Sequence, residues 1–129
     1  MNPLNIILMK TSEVISTKQK NKFIVTNKDI NKNNALLPAV LYARMEDFVK
    51  ENIAKYEDIV YPIANLYKIE ILKNAYLKDD LVLNSQIKKL NDFELHIAVT
   101  VSRNNKHQDN IICKAIFKFP LKKHISKAS

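Results

Sequence analysis

The chain has 129 residues, of which 47% are hydrophobic and 26% charged, and its formal net charge is +8. This length suits one domain with one core, and this composition excludes a mainly disordered chain. The longest apolar stretches fall far short of the roughly 20 residues that cross a bilayer, so we expect no membrane partner.

The positive charge comes almost entirely from lysine, since Arg44 and Arg103 are the only arginines. The lysines are scattered along the chain, whereas sequence-specific nucleic-acid readers gather arginine and aromatic groups on one surface. We therefore expect no nucleic-acid partner. A small anionic ligand remains compatible with this charge.

A single cysteine, Cys113, cannot form an internal disulfide, which is typical of a reducing compartment. The first ten residues, MNPLNIILMK, lack the basic start and the cleavage site of a secretion signal. We therefore expect a cytoplasmic protein.

The histidines, His96, His107 and His124, have no metal-ligand spacing with one another or with Cys113, so we predict no metal and no cofactor. Cys113 alternates with apolar residues, which indicates a buried, inert thiol.

In chain order, apolar stretches at residues 4–9 and 23–25 predict two strands separated by a polar run. Residues 37–54 predict the one long helix, because Leu41, Met45 and Phe48 recur at helical spacing. Pro38 suits the first helical turn, and Asn33 or Asn34 can cap it.

After this helix the period of the apolar residues changes to two. Half-buried antiparallel strands are predicted from residues 67–71, 81–88, 93–101 and 111–119, with inward rows that begin at Phe93 and at Ile111. Residues 121–129 show no pattern and predict a frayed tail.

Glycine is absent from the sequence. Turns that need a positive φ must therefore use Asn, Asp or Lys, and Asn is the usual substitute. Connections rich in Asn occur at residues 33–34, 91–92 and 104–105.

Two motifs make the chain resemble the thioesterase superfamily of hotdog proteins. The segment DINKNNALLPAVLYARMED, residues 29–47, is similar to the acyl-CoA thioesterase signature of a loop Asn or Asp, a glycine, a short apolar stretch and a helix with an acidic residue. In this register Asn31 takes the loop position, Asn34 the glycine position and Glu46 the acidic position. The segment ILKNAYLKDDLVL, residues 71–83, resembles the later Gly-Asp motif, with Lys78 in place of glycine and Asp79 at the aspartate.

The resemblance implies an α+β hotdog fold, in which a curved antiparallel sheet of about five or six strands wraps one long central helix. We expect residues 1–129 to form this single domain. Relatives pair their sheet edges, which implies a homodimer or a dimer of dimers. Asp79 and Lys78 are expected to build a structural turn between two strands.

The resemblance also implies hydrolysis of acyl-CoA or acyl-carrier-protein thioesters. Glu46 would activate water or attack the thioester, and Asn31 would position the carbonyl or the water. Backbone amides near Asn34 to Leu36 would hold the oxyanion, and apolar helix residues would line the acyl site. The substrate-binding residues implied are Asn34, Ala35, Leu36, Met45 and Phe48. The same residues also fit plain roles as a solvated carboxylate, turn residues and core.

Two alternatives stand beside this hypothesis. Because the glycines of the family are missing, the chain can instead be a non-catalytic acyl-binding or assembly protein. The string LPAVLYARMED also resembles the hydroxyacyl-carrier-protein dehydratases, but Arg44 stands at their catalytic glutamate and no histidine precedes His96. Dehydration needs an acid–base pair, so this alternative is the weakest.

Overall fold

The computed structural model describes residues 20–104 and 110–122. The strand predicted at residues 4–9, His107, His124 and residues 123–129 lie outside the described residues. Five strands and one long helix make up the described fold: β1 (Lys20–Ile24), α1 (Pro38–Ile53), β2 (Asn65–Ile71), β3 (Asp80–Leu90), β4 (Glu94–Arg103) and β5 (Ile111–Pro120).

The strands form one antiparallel sheet in the order β1-β3-β4-β5-β2, and α1 packs against its inner face. A curved sheet wrapped around one long helix is the hotdog fold, so the predicted fold class is confirmed. No helix in residues 20–104 and 110–122 is long and apolar enough to cross a membrane.

Helix α1 begins within one residue of the predicted start and ends within one residue of the predicted end. Pro38 occupies the first turn, where its missing N–H leaves no hydrogen bond unmade. The predicted cap by Asn33 or Asn34 is wrong. The residue before the helix, Leu37, has extended backbone and no side-chain cap, and its carbonyl accepts hydrogen bonds from the next turn.

The inner face of α1 is apolar, as its periodicity predicted. Each large side chain buried in this way stabilises the fold by roughly 1.5–3 kcal/mol relative to an exposed one. The buried helix residues are Leu41, Met45, Phe48, Val49, Asn52 and Ile53. One of them, Asn52, is polar, and its side-chain amide donates a 2.7 Å hydrogen bond to the hydroxyl of Ser85 in β3.

The apolar side chains that alternate along β4 and β5 point into this core. The alternation changes by one residue at a single place in β5. A β-bulge between Val101 and Ser102 leaves one residue of β5, Ile112, without a partner in the ladder. Ile112 is buried and Ile111 is only half-buried, so the predicted inward position of Ile111 is wrong.

Two further predictions fail at the ends of these strands. Phe93, expected at the start of an inward row, is 77% exposed because it lies in the turn before β4. Leu121, expected in the frayed tail, is buried and forms a bridge with Val60, while its amide donates to the Phe93 carbonyl.

Strand β2 forms one edge of the sheet and differs most from the prediction of a half-buried strand. All seven of its residues are exposed. The reason is its position, because α1 packs over β3 and β4 and leaves the end of the sheet beyond β5 uncovered. Leu66, Ile69 and Ile71 therefore expose apolar side chains.

Candidate functional site

Asn31 lies in the loop that leads into α1, and its side chain holds that loop together. Its Oδ1 accepts hydrogen bonds from the amide of Asn33 at 2.8 Å and from the amide of Ala35 at 3.2 Å. These contacts are typical of an Asn that folds its own backbone into a turn. The side chain is exposed, so a second role toward a substrate stays a prediction.

The amides implied as oxyanion donors already have partners. The Asn34 amide donates to the Asn31 carbonyl at 3.0 Å, and the Leu36 amide donates to the Ala75 carbonyl at 2.8 Å. With the Ala35 amide on Asn31, all three amides serve to build the loop. An incoming oxyanion would have to displace these bonds, so an oxyanion hole at residues 34–36 is weakened as a prediction.

The amide of Ala39 is different. In the described part of the chain no hydrogen-bond acceptor is found for it, since Pro38 starts the helix and the next two amides turn back to Leu37. Ala39 is exposed, and the positive end of the helix dipole lies here. Pro38 at the first helical position indicates a free amide at Ala39, whereas the family resemblance implies donors in the preceding loop.

The two family glycine positions adopt the backbone that glycine favours. Asn34 has a φ of 63° and Lys78 a φ of 74°, and these are the positive φ values found in the described residues. The prediction that Asn and Lys take over left-handed turns is confirmed at these positions. The Asn91–Asp92 turn forms without a positive φ, through hydrogen bonds from two later amides to the Asn91 side chain.

Glu46 lies on α1, and its side chain is 26% exposed, at the boundary between core and solvent. Its Oε1 lies 3.1 Å from the Nζ of Lys50, one helical turn further on. The hydroxyl of Tyr42, one turn earlier, also donates to this carboxylate, and these two contacts hold the pKa of Glu46 below its usual value. Desolvation by burial raises this pKa, but its effect is smaller than that of either contact.

Tyr42 was missed by the sequence analysis. Its ring packs against Phe117 of β5 with 5.9 Å between the ring centroids, and its hydroxyl reaches Glu46. The hydrogen bond to Glu46 raises the pKa of Tyr42. The i, i+4 spacing of Tyr42, Glu46 and Lys50 is visible in the sequence and could have indicated this row.

The predicted catalytic pair is not joined within the described residues of one subunit. The hydrogen bonds of Asn31 remain within its loop, and those of Glu46 remain within its helix. Met45 and Phe48 are 0% and 2% exposed and belong to the closed core. A groove of about 290 Å³ lies on the opposite, outer face of the sheet, and none of the predicted site residues lines it.

Asp79 serves the turn between β2 and β3. Its carboxylate accepts a hydrogen bond from the amide of Tyr76 at 2.8 Å and one from Nε of Arg103 at 3.1 Å. The Tyr76 amide precedes Asp79 in the chain, so the carboxylate bonds back to the turn that leads into it. The Arg103 guanidinium also donates to the carbonyl of Asn74.

Cys113 and His96 carry no sign of metal chemistry. Burial raises the pKa of the Cys113 thiol to about 11, which keeps it protonated and fits the predicted inert core residue. The Nε2 of His96 lies 2.9 Å from the Glu94 carboxylate. Within residues 20–104 and 110–122, no three His, Cys, Asp or Glu side chains are grouped to hold a metal ion.

No known family model matches this sequence, and no curated protein sequence matches it. Solved structures do match. An acyl-CoA hydrolase from Staphylococcus aureus, solved with butyryl coenzyme A, coenzyme A and coenzyme A disulfide, has a TM-score of 0.73 at 13% identity and covers 83% of this chain and 67% of that chain.

Two further structures widen this comparison. The protein smu.793 from Streptococcus mutans UA159, bound to acetyl CoA, has a TM-score of 0.65 at 16% identity and covers 81% of each chain. A hexameric acyl-CoA thioesterase has a TM-score of 0.72 at 13% identity, over 85% of this chain and 70% of that chain. At these identities the likeness establishes a shared fold, and this chain therefore has the hotdog fold.

Proposed function

We propose that this chain is an acyl thioester hydrolase that acts on acyl-CoA or an acyl-carrier-protein. The observation that carries the proposal is the placement of Glu46, a partly exposed carboxylate in the middle of the central helix, held by Tyr42 and Lys50. The solved hotdog structures that resemble this chain include acyl-CoA hydrolases, which supports the substrate class. One fold supports many different reactions, so the chemistry of this chain has to come from Glu46.

Glu46 is the general base in the proposed reaction. The Glu46 carboxylate is ionised at neutral pH and can accept a proton, although its lowered pKa makes it a weaker base than an ordinary glutamate. It takes a proton from water while the water oxygen bonds to the thioester carbon, and the carbonyl electron pair moves onto oxygen. The C=O bond then re-forms, the C–S bond breaks, and the departing thiolate takes from Glu46 the proton that came from water. The products are a carboxylic acid and a thiol.

The oxyanion formed in this reaction needs a hydrogen-bond donor. The amides of Asn34, Ala35 and Leu36 are engaged in the loop, so we assign this role to the amide of Ala39. It lies at the N-terminal end of α1, where the helix dipole favours negative charge. Asn31 then supports the site by shaping the loop in front of the helix.

The working unit is a homodimer in this proposal, formed by antiparallel pairing of two β2 edges. Strand β2 has seven exposed residues and an apolar inner row, whereas β1 at the other edge is short and carries Lys20 and Lys22. Lysine on a short edge strand discourages pairing, and a long apolar edge favours it. The acyl chain would lie along Ile69 and Ile71, on the part of the sheet that α1 leaves uncovered, since Met45 and Phe48 are closed within one subunit.

The proposed location is the cytoplasm, where acyl-CoA and acyl-carrier-protein substrates occur and where a single buried thiol remains reduced. The charge of +8 favours the approach of phosphate-bearing substrates. Two such dimers can associate further into a dimer of dimers.

A panel of acyl-CoA thioesters tests the function, with thiol release as the readout. We expect Glu46→Gln to lower kcat/KM by at least about a hundredfold with little change in stability, the usual scale for a general base. Asp47→Asn is the matched control, since Asp47 is the neighbouring exposed carboxylate on the same helix. Wild-type protein without turnover, or Glu46→Gln as fast as wild type, would exclude the hydrolase assignment.

A non-catalytic acyl-binding protein is the second candidate. It is favoured by one observation, the engagement of all three loop amides in internal hydrogen bonds. Calorimetric binding of an acyl-CoA without any thiol release, unchanged by Glu46→Gln, would establish this function in place of hydrolysis.

A further inference from the structure

The groove on the outer face of the sheet lies away from α1 and away from Glu46. Its volume is about 290 Å³. The floor consists of Ala98 and Thr100 on β4 and Ile116 on β5, which are short or apolar side chains. In the ladder Ala98 pairs with Ile116, so these two form a continuous apolar surface. Thr100, the next outward residue on β4, places a hydroxyl beside it.

Lysines stand on both sides of this floor. Lys88 comes from β3, while Lys114 comes from β5 and Lys68 from β2. β3 and β5 flank β4, so the two walls stand about 10 Å apart, which is twice the spacing of neighbouring strands. Flexible lysine side chains from both walls can therefore reach one small ligand that lies over Ala98 and Thr100.

The charge of the groove is unbalanced. Glu70 is the acidic residue in its lining, against three lysines. Although Glu70 pairs with Lys114 in the ladder, no ion pair within 4 Å involves Glu70, Lys68, Lys88 or Lys114 in the described part of the chain. The three ammonium groups are therefore available to an anion. A second copy of the same face would bring lysines against lysines, which is unfavourable.

We propose that Lys68, Lys88 and Lys114, gathered around the Ala98–Ile116 floor, form a binding site for a small organic phosphate with at least two negative charges. Phosphate is a strong acceptor for lysine ammonium groups, and the Thr100 hydroxyl and the Gln86 amide add neutral donors. The apolar floor accommodates the organic part. The volume suits a small molecule and is close to the lower range for ligand pockets. This site is separate from the proposed thioesterase site.

Inorganic pyrophosphate is the first probe, titrated into the full chain by calorimetry at low ionic strength. We expect saturable binding, with Lys88→Gln and Lys114→Gln each raising Kd at least about fivefold. Lys32→Gln and Lys55→Gln remove the same charge at exposed positions outside the groove and should change Kd less than about twofold. The proposal would be overturned if the groove variants and the control variants raised Kd equally, or if pyrophosphate binding did not saturate.

A second variant tests shape without changing charge. Ala98→Leu fills the floor and should weaken pyrophosphate binding, and a thermal melt establishes that the variant is folded. If Ala98→Leu does not fold, the Kd values of the lysine variants alone test whether pyrophosphate binds in the groove. A short polyglutamate peptide that binds the groove as tightly as pyrophosphate would overturn the phosphate class. Glu46→Gln should leave pyrophosphate binding unchanged, so failure of this site and failure of the hydrolase proposal are distinguishable.

Discussion

Asn34 and Lys78, the two residues with left-handed backbone, lie in adjoining turns that are tied together. The amide of Leu77, directly before Lys78, donates a 2.9 Å hydrogen bond to the carbonyl of Asn34. The loop that leads into α1 is thereby fastened to the connection between β2 and β3. In a chain without glycine, both turns carry the cost of a Cβ in the left-handed region.

Lys78→Gly should raise the free energy of unfolding by roughly 0.5–1 kcal/mol. The relief of left-handed strain in the folded state exceeds the extra conformational entropy that a glycine loses on folding. Asn34→Gly should gain less, since Asn tolerates this region better than Lys. Urea denaturation measures both changes. Lys55→Gly, at a position without positive φ, serves as the control and should lose stability. A loss of stability in Lys78→Gly would contradict the strain argument.

Tyr42→Phe should shift the acidic limb of the pH profile of kcat/KM to higher pH. The Tyr42 hydroxyl is the largest cause of the lowered Glu46 pKa, so its removal lets that pKa rise toward the ordinary value of 4.5. A base with a higher pKa is protonated at higher pH and loses activity there. Tyr61→Phe, an exposed tyrosine, is the control. An unmoved acidic limb would show that Glu46 is not the titrating base.

Ser85→Ala should lower the free energy of unfolding by about 1–3 kcal/mol, because it leaves the side-chain amide of Asn52 buried without its partner. Asn52 is 2% and Ser85 6% exposed, so water does not replace the bond. Combining Ser85→Ala with Asn52→Leu should cost less than the sum of the two changes. Chemical denaturation measures the coupling, with Ser102→Ala as the control. Additive losses would mean that the pair does not interact.

Asp79→Ala should lower stability by about 1–3 kcal/mol while the folded protein keeps its turnover. The change removes the acceptor for the Tyr76 amide and for the Arg103 guanidinium. Thermal melts and thiol-release assays on the same sample separate the two effects. Asp92→Ala, in an exposed turn, is the control. An unchanged melting temperature with lost turnover would place Asp79 in the active site.

Ile69→Lys should convert the proposed dimer into monomers at micromolar concentration. The change places a charge in the apolar row of β2, where it would be buried by a paired strand. Light scattering after size exclusion reports the mass. Ile24→Lys makes the same change on the β1 edge and should leave the dimer intact. A wild-type protein that is already a stable monomer would exclude pairing through β2.

Periodicity was sufficient to predict α1 and, apart from Phe93 and Ile111, the inward rows of β4 and β5 from the sequence. Side-chain burial follows the repeat of 3.6 in a helix and of two in a strand, so Met45 and Phe48 were correctly placed in the core. The absence of glycine likewise made Asn34 a candidate for a left-handed turn, because few other residues accept that backbone.

Only the tertiary structure decided what lies over each face and which hydrogen bonds were already made. β2 has the same alternation as its neighbours, yet it is exposed because the sheet order places it at an edge that α1 does not cover. The sequence indicated that the loop amides near Asn34 were available to a ligand, but in the structure they donate hydrogen bonds to Asn31 and Ala75. A one-dimensional pattern reports the polarity of a residue, whereas its partners depend on segments that are distant in the chain.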